Sequence, residues 1–514
     1  MFAHKSIKKI PVLLLVIFTC AFLTSCTEES DADNYINDYA HDIDGTYENE
    51  TSDDTIPNAT QPHPQAAFTG EPTQRGDLYW SDERDRNWEG DIRHFAILAL
   101  RHHPLLIEFD DIRFVEGRAS ESYSRYVHNA ILSRAAEKNG ILSNDYTVMR
   151  ESLRELFIEK TNTLIINIPN FSDYEIIFSL SEISALLGDG HTHTAFLFGG
   201  GRVFPVDIRA LYDGVYLMGV PKEFEHALYS ELLAIGGVPI DEVVERFSRV
   251  VPHENEYYLR RVWIPRLLMV VELLMFIDVV CDSGVAEFSV RCTKGEIFDI
   301  TLEALDNREA FMTMRETEFV SYGANTLMDM RPDELMWHEY FPEESIMYVR
   351  IRSYANTETV TAAAIELRTE LRNWKEDEPI EKVIIDLRGN LGGHAMWPSG
   401  EDINFLAERV SNVYVIIDGG SYSQSVIMAS NLRYRMDNVT IIGEPTGQHD
   451  NFFFGGAVSS LTNSRLRYQV SSRMWVGSNS NDTALRPDVL IPLTINDIIN
   501  QHDPVLEYIF SPTN

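Results

Sequence analysis

Two short apolar strands, each running into glycines, most constrain what this chain can fold into. The first is VIIDLRGNLGG at residues 383–393, and the second is VYVII at residues 413–417. The second breaks at Asp418-Gly419-Gly420 and delivers Ser421, Tyr422, Ser423, Gln424 and Ser425 onto the start of a predicted helix. At such a strand-to-helix turn, backbone N–H groups point outward and the helix dipole favours negative charge. An acyl-transfer site needs donors of this kind for its oxyanion.

From about residue 340 to 510, strands alternate with helices: YVRIRSY, a helix through Leu367 and Leu371, VIIDLRG, VYVII, a helix from Ser423, then VTIIGE. That alternation implies an α/β core of parallel strands joined by helical crossovers. The chain's 514 residues exceed one ordinary domain and predict two or three. Ahead of the core, residues 88–187 are helical in pattern, with Ile92, Phe95, Ala96, Ala99 and Leu100 at three-to-four spacing. Ser172 and Glu175 form a capping box that opens a helix with Ile176, Ile177, Leu180, Ile183 and Leu187 on its apolar face. Gly188 ends it. Residues 203–305 change to short strands, with a hairpin signal at Asp213-Gly214 followed by LLAIGGVPIDEVVERF. The apolar stretch from Trp263 to Val280 is interrupted by Pro265, Arg266, Glu272 and Asp278. It reads as a buried or groove-lining helix and not as a membrane span.

The N-terminus is a targeting segment. Lys5, Lys8 and Lys9 precede an apolar run at residues 10–22, and Leu23-Thr24-Ser25-Cys26 follows. This resembles a bacterial lipoprotein signal with Cys26 as the lipidated residue. An ordinary cleaved signal peptide or an uncleaved anchor are the alternatives, and all three place the protein outside the cytoplasm. Residues 27–80 are polar and acidic, an expected disordered tether. A net charge of −36 argues against nucleic-acid binding and against adhesion to anionic headgroups. Cys281 and Cys292 are a pair that an exported protein could oxidise, though sequence does not fix their geometry. Without a histidine cluster they are no zinc site, and no metal is expected.

Four features could carry chemistry. GDGHTHT, residues 188–194, places His191 in a glycine-rich turn, and histidine alone has an unperturbed pKa suited to a neutral-pH base. DLRGNLGG offers Gly389, Gly392 and Gly393 at a strand end, SYSQS offers Ser423, and GEPTG spans residues 443–447. Each has a plainer reading: a structural histidine, a turn, a helix cap and a loop. Their order and spacing together are far more specific.

Together they resemble the tail-specific (C-terminal processing) protease family, and within it the tricorn-core branch, over roughly residues 176–507. LRPDVLIPLT and HDPVLEYI are similar to the family's closing stretch. The resemblance implies a crotonase-like α/β core at residues 336–514. Before it would come a helical region at 81–200 and a divergent PDZ-like insert at 201–335. It implies serine-dependent hydrolysis of peptide bonds in a peptide or protein substrate, without a cofactor. The serine–lysine members carry a lysine just beyond GEPT, but here GQHDN follows and no lysine occurs after Lys382. The tricorn-type branch uses serine and histidine, which assigns Ser423 as nucleophile and His191 as base. That branch places a glutamate before its Pro-Asp pair, here Pro487-Asp488, where only Asn481 and Asp482 stand. Asp482 is therefore the expected third member, with Asp189 as backup. His449 and His394 are the alternative bases, Ser425 is the register alternative, and the N–H groups of Gly392 and Gln424 are the expected oxyanion donors. The sequence thus predicts a lipid-anchored, extracytoplasmic serine peptidase. A degenerate relative that binds peptides or proteins without cleaving them is the competing expectation.

Overall fold

In a computed structural model, the described residues are 82–511, apart from 113, 195–200, 324–325, 375–379, 395–396 and 457. Cys26, the signal segment and the tether of residues 27–80 lie outside them. Helices α1 (Asp82–His102), α2 (Glu121–Lys138), α3 (Tyr146–Asn167) and α4 (Asp173–Ala185) come first among the described residues. Ile92, Phe95, Leu132, Leu153, Phe157 and Leu180 are buried among them. The capping box of α4 forms: Glu175 N–H donates to Ser172 Oγ at 3.2 Å, and Ser172 N–H donates to Glu175 Oε2 at 2.6 Å. Gly188, at φ +59°, turns the chain out of that helix into the short strand β1 (His193–Thr194).

An antiparallel sheet follows, with β2 (Asp207–Leu211), β3 (Gly214–Pro221), β4 (Glu231–Ile235), β5 (Val285–Arg291) and β6 (Ile297–Glu303) side by side. The hairpin at Asp213-Gly214 is present, closing at the Leu211–Gly214 pair. Between β4 and β5 the apolar stretch is buried but is not one helix. It breaks into Ile264–Leu267 and Val271–Phe276, because Val270 adopts an extended conformation between them. Cys281 and Cys292 are both free thiols, so no disulfide joins them. Among the described residues no helix is long and apolar enough to cross a membrane.

The core is a six-stranded sheet of β7 (Met336–Phe341), β8 (Ile346–Ile351), β9 (Lys382–Asp386), β10 (Asn412–Ile417), β11 (Val439–Gly443) and, at its far edge, Val489–Leu490. It is parallel from β8 onward, with β7 antiparallel at the other edge. Crossover helices α5 (Glu358–Arg372), α6 (Gly400–Arg409) and α7 (Gln424–Arg435) join the parallel strands. Side chains alternate along each strand, so the apolar runs serve two faces at once. Val349, Val383, Ile385, Val413 and Val415 pack against Leu367, Leu406 and Leu432 of the crossover helices. Tyr348, Ile384, Tyr414 and Ile416 face Val505, Leu506 and Ile509 of the closing helix α8 (Pro504–Phe510).

Where β9 ends, the DLRG motif builds a buried ion network. Arg388 Nη2 lies 2.6 Å from Asp386 Oδ2 and 2.8 Å from Asp503 Oδ2, and Tyr348 donates to Asp386 at 2.8 Å. Asp503 in turn caps α8 by accepting the Leu506 N–H at 3.1 Å. Arg388 thus ties the strand end to the helix covering the second face. Replacing Arg388 by Ala takes the shared cation from Asp503 and leaves Asp386 with Arg350 at 3.6 Å and Tyr348, and urea unfolding is expected to show a loss of about 3 kcal/mol.

Candidate active site

The two glycine-bearing strand ends of β9 and β10 lie side by side, and Ser423 stands between them. Its backbone takes φ 54°, ψ −122°, which a residue with a Cβ rarely adopts and which costs about 1–3 kcal/mol. Neighbouring hydrogen bonds hold the turn. Ser423 N–H donates to Gln448 Oε1 at 3.0 Å, Tyr422 N–H donates to Ser425 Oγ at 2.8 Å, and Ser425 Oγ donates to Asn390 O at 2.8 Å. Ser425 is fully buried in these bonds, which removes it as the register alternative. Ser423 sits at the cap position of α7 yet makes no side-chain cap. Its Oγ lies 3.0 Å from His191 Nε2 instead.

His191 reaches this point because β1, two residues on, pairs antiparallel with residues 467–469 of the core, Tyr468 opposite Thr194. The rings of Tyr422 and Phe452 stack with the imidazole at centroid distances of 4.8 and 5.6 Å. Burial pulls the His191 pKa down to about 4, opposed by the charge of Asp189, so the ring is neutral at pH 7.

Behind the ring lies a polar cluster absent from the sequence reading. Tyr422 Oη is 3.1 Å from His191 Nδ1 and donates to Glu254 Oε1 at 2.5 Å. Gln448 Nε2 donates to the same Glu254 oxygen at 2.8 Å. Because Tyr422 gives its proton to Glu254, its oxygen is left to accept from Nδ1–H. The Gln448 amide nitrogen also stands 3.4 Å from Nδ1, but the shorter Tyr422 contact favours the tautomer with the lone pair of Nε2 facing Ser423. Asp189 Oδ1 stands 3.9 Å from Nδ1 and accepts the His191 N–H at 3.0 Å. Its Oδ2 accepts from Thr192 Oγ1 at 2.7 Å and meets His103 Nε2 at 3.1 Å.

The two acids are pushed apart. Burial raises both, but the hydrogen bond and attraction of His103 outweigh it at Asp189 and hold that carboxyl at about 2. Burial and the charge of Asp189 push Glu254 up to about 8, against its hydrogen bonds. Gly190 makes this crowding possible, since a Cβ there would lie 2.6 Å from Tyr422 Oη and 3.0 Å from Glu254 Oε2. Donor atoms of Asp189, His191 and Glu254 lie within 4.8 Å of one another and could be offered to a cation, although the Tyr422 hydroxyl fills the gap between two of them.

Several expected positions are corrected. Asp482 is captured by Arg486 four residues on, Nε to Oδ2 at 2.5 Å, and makes no contact with His191. His449 is buried against Asp450, its Nδ1 accepting the Asn451 N–H at 3.1 Å, and His394 is exposed. Neither hydrogen-bonds Ser423 among the described residues. The Gly392 N–H is already spent on Asn390 Oδ1 at 2.8 Å, so it is not a free oxyanion donor. The N–H groups of Gln424 and Gly393 have no partner among the described residues. The sequence reading missed Glu254, Tyr422, Gln448 and His103. Tyr422 and Gln448 abut the serine elbow and GEPTG, which is a usable signal, whereas Glu254 and His103 carry none.

No family model matches the chain, and no curated protein matches it in sequence. Among solved structures, mature CPAF is similar with a TM-score of 0.52 at 12% identity, over 83% of this chain and 96% of that one. Mature CPAF complexed with lactacystin matches at a TM-score of 0.50 and 12% identity, over 83% of this chain and 97% of that one. The chain therefore has the mixed α/β fold of mature CPAF. The likeness to the tricorn protease, with a TM-score of 0.33, is too weak to bear on the branch.

Gly392 holds φ +97°, and a Cβ on it would lie 2.7 Å from Ser423 Cβ and 2.8 Å from Gln424 N. Gly392→Ala is expected to slow acylation of Ser423 by about 10²-fold through displacement of the elbow, read as a labelling rate on folded protein. His191 has a folded pKa of about 4 against a reference of 6.5. Its stabilising contribution is therefore full above pH 6.5 and is lost as pH falls toward 4. His191→Gln should flatten that acid-side loss, measured as denaturation midpoints between pH 7 and 4.

Proposed function

We propose that the protein is a serine peptidase in which Ser423 is the nucleophile and His191 the general base. The observation that carries this reading is the 3.0 Å approach of Ser423 Oγ to His191 Nε2 at a strained elbow. The fold of mature CPAF and the motif resemblance to tail-specific proteases support it. In that resemblance the core is crotonase-like, the antiparallel insert is PDZ-like, and the serine–histidine pair follows the tricorn-type pattern.

The chemistry follows from the geometry. Ser423 Oγ gives its proton to His191 Nε2 as it attacks the scissile carbonyl. The tetrahedral oxyanion forms beside the N-terminus of α7, where Gln424 N–H and, on the facing loop, Gly393 N–H are the donors. His191 then protonates the leaving amine, and a water deprotonated by the same nitrogen releases the acyl group. A neutral imidazole is the form this sequence of steps requires.

The substrate is a peptide or protein, and the enzyme works outside the cytoplasm, held to the membrane through a lipid on Cys26. A fluorophosphonate probe tests the centre directly. The protein from residue 80 onward should be labelled, Ser423→Ala should abolish labelling, and His191→Ala should slow it by about 10²–10⁴-fold. A folded protein that never labels is instead the degenerate, peptide-binding relative.

A further inference from the structure

We infer that Glu254 is a positioning residue for the Ser423–His191 pair, orienting the imidazole through the hydroxyl of Tyr422, whose proton its Oε1 accepts. The inference rests on the Ser–His reading above and assigns what aligns its base. Nothing in the sequence places Glu254 near the site; it lies in the loop before residues 256–267, far from either motif in the chain.

The geometry divides the work behind the ring between two carboxyl groups. Asp189 is pinned by His103, Thr192 and the His191 N–H, and faces Nδ1 only across 3.9 Å. Two polar atoms lie within hydrogen-bond reach of Nδ1: Tyr422 Oη at 3.1 Å, a hydroxyl committed to Glu254 Oε1 at 2.5 Å, and the Gln448 amide nitrogen at 3.4 Å, which donates to the same oxygen at 2.8 Å. Gln448 completes the link, giving Nε2–H to Glu254 and accepting the Ser423 N–H. One residue therefore aligns base and nucleophile with the same anchor.

Glu254 is held by hydrogen bonds and not by a cation. No lysine, arginine or histidine lies within ion-pair distance of it among the described residues. Its Oε2 faces the Gly190 N–H without reaching hydrogen-bond geometry, while both firm donors converge on Oε1. The charged and titratable groups around it are ionised Asp189, the hydroxyls of Tyr422 and Tyr258, and, further out, Lys138. A second full charge beside Asp189 in this buried space is disfavoured, in keeping with an upward push to about 8. Positioning through a hydroxyl differs from a triad in which the acid touches the imidazole. There an amide swap puts an NH2 group against Nδ1 and enforces the wrong tautomer. Here a hydroxyl intervenes, and a glutamine at 254 can present the same Oε1 to Tyr422 and Gln448.

The test combines labelling rates with the tautomer of His191. In the full chain, Glu254→Ala and Tyr422→Phe should each lower the fluorophosphonate labelling rate by about 10²-fold, and Glu254→Gln, which keeps the Oε1 acceptor, should recover about tenfold of that loss. Tyr422→Phe keeps the ring stacked on Tyr258, whose centroid is 4.3 Å away, so its fold is preserved. Nitrogen-15 shifts of His191 should report Nδ1–H in the parent and in Glu254→Gln, and a mixed tautomer in Tyr422→Phe. Wild-type rates and shifts in Tyr422→Phe and Glu254→Ala overturn the relay while leaving Ser423 labelled. A Glu254→Gln rate as low as that of Glu254→Ala overturns the acceptor role of Oε1. Loss of labelling in the parent sinks the peptidase reading instead, and the His191 shifts still decide the relay.

Discussion

Everything at the candidate site depends on a backbone held where it would not rest alone. Ser423 carries a positive φ despite its side chain, and that conformation turns Oγ away from capping α7 and toward His191. The strain survives because the surroundings over-determine it. Gly392 leaves no room for relaxation, Gln448 holds the Ser423 N–H, and Asn390 anchors the turn through Ser425. Asp418 adds a second lock, accepting the N–H groups of Gly389 and Gly420 at 2.7 and 2.9 Å while bonding Arg261 from the insert at 2.7 Å. The two strand ends and the insert are thus fastened to one carboxylate.

The same economy governs the imidazole of His191. An imidazole drawn from a loop 232 residues earlier in the chain needs its orientation fixed from behind. The protein does this with a closely packed polar cluster and two aromatic rings, in a place where burial makes every unsatisfied group costly. Gly190 is the quiet requirement. Its missing side chain lets Tyr422 and Glu254 meet beneath the His191 loop.

Much of the fold was legible. Apolar strands alternating with helical stretches announced a parallel sheet with crossovers, because both faces of such a sheet must be covered. The capping box at Ser172 and Glu175 and the hairpin at Asp213-Gly214 are local chemistry, and both form where their residues stand. The apolar stretch of residues 263–280 was read as one helix and is two, since burial satisfies its apolar side chains without requiring an unbroken backbone. At the site, the glycine-rich turn and the serine elbow were visible as motifs. Asp482 was chosen by proximity to Pro487-Asp488 alone, and its short-range neighbour Arg486 claims it. Gly392 was read as a donor from its place in a glycine pair, yet its N–H is spent inside its own turn on Asn390.

By itself the sequence determined which residue types could supply a nucleophile, a base and a glycine-lined strand end, because these follow from local propensity and side-chain chemistry. Only the tertiary structure decided which nitrogen faces the serine and which acid stands behind it. Glu254 meets Tyr422 from 168 positions away in the chain. Hydrogen bonds act over about 3 Å, and distances of that size between remote segments are set by packing, which no local pattern encodes.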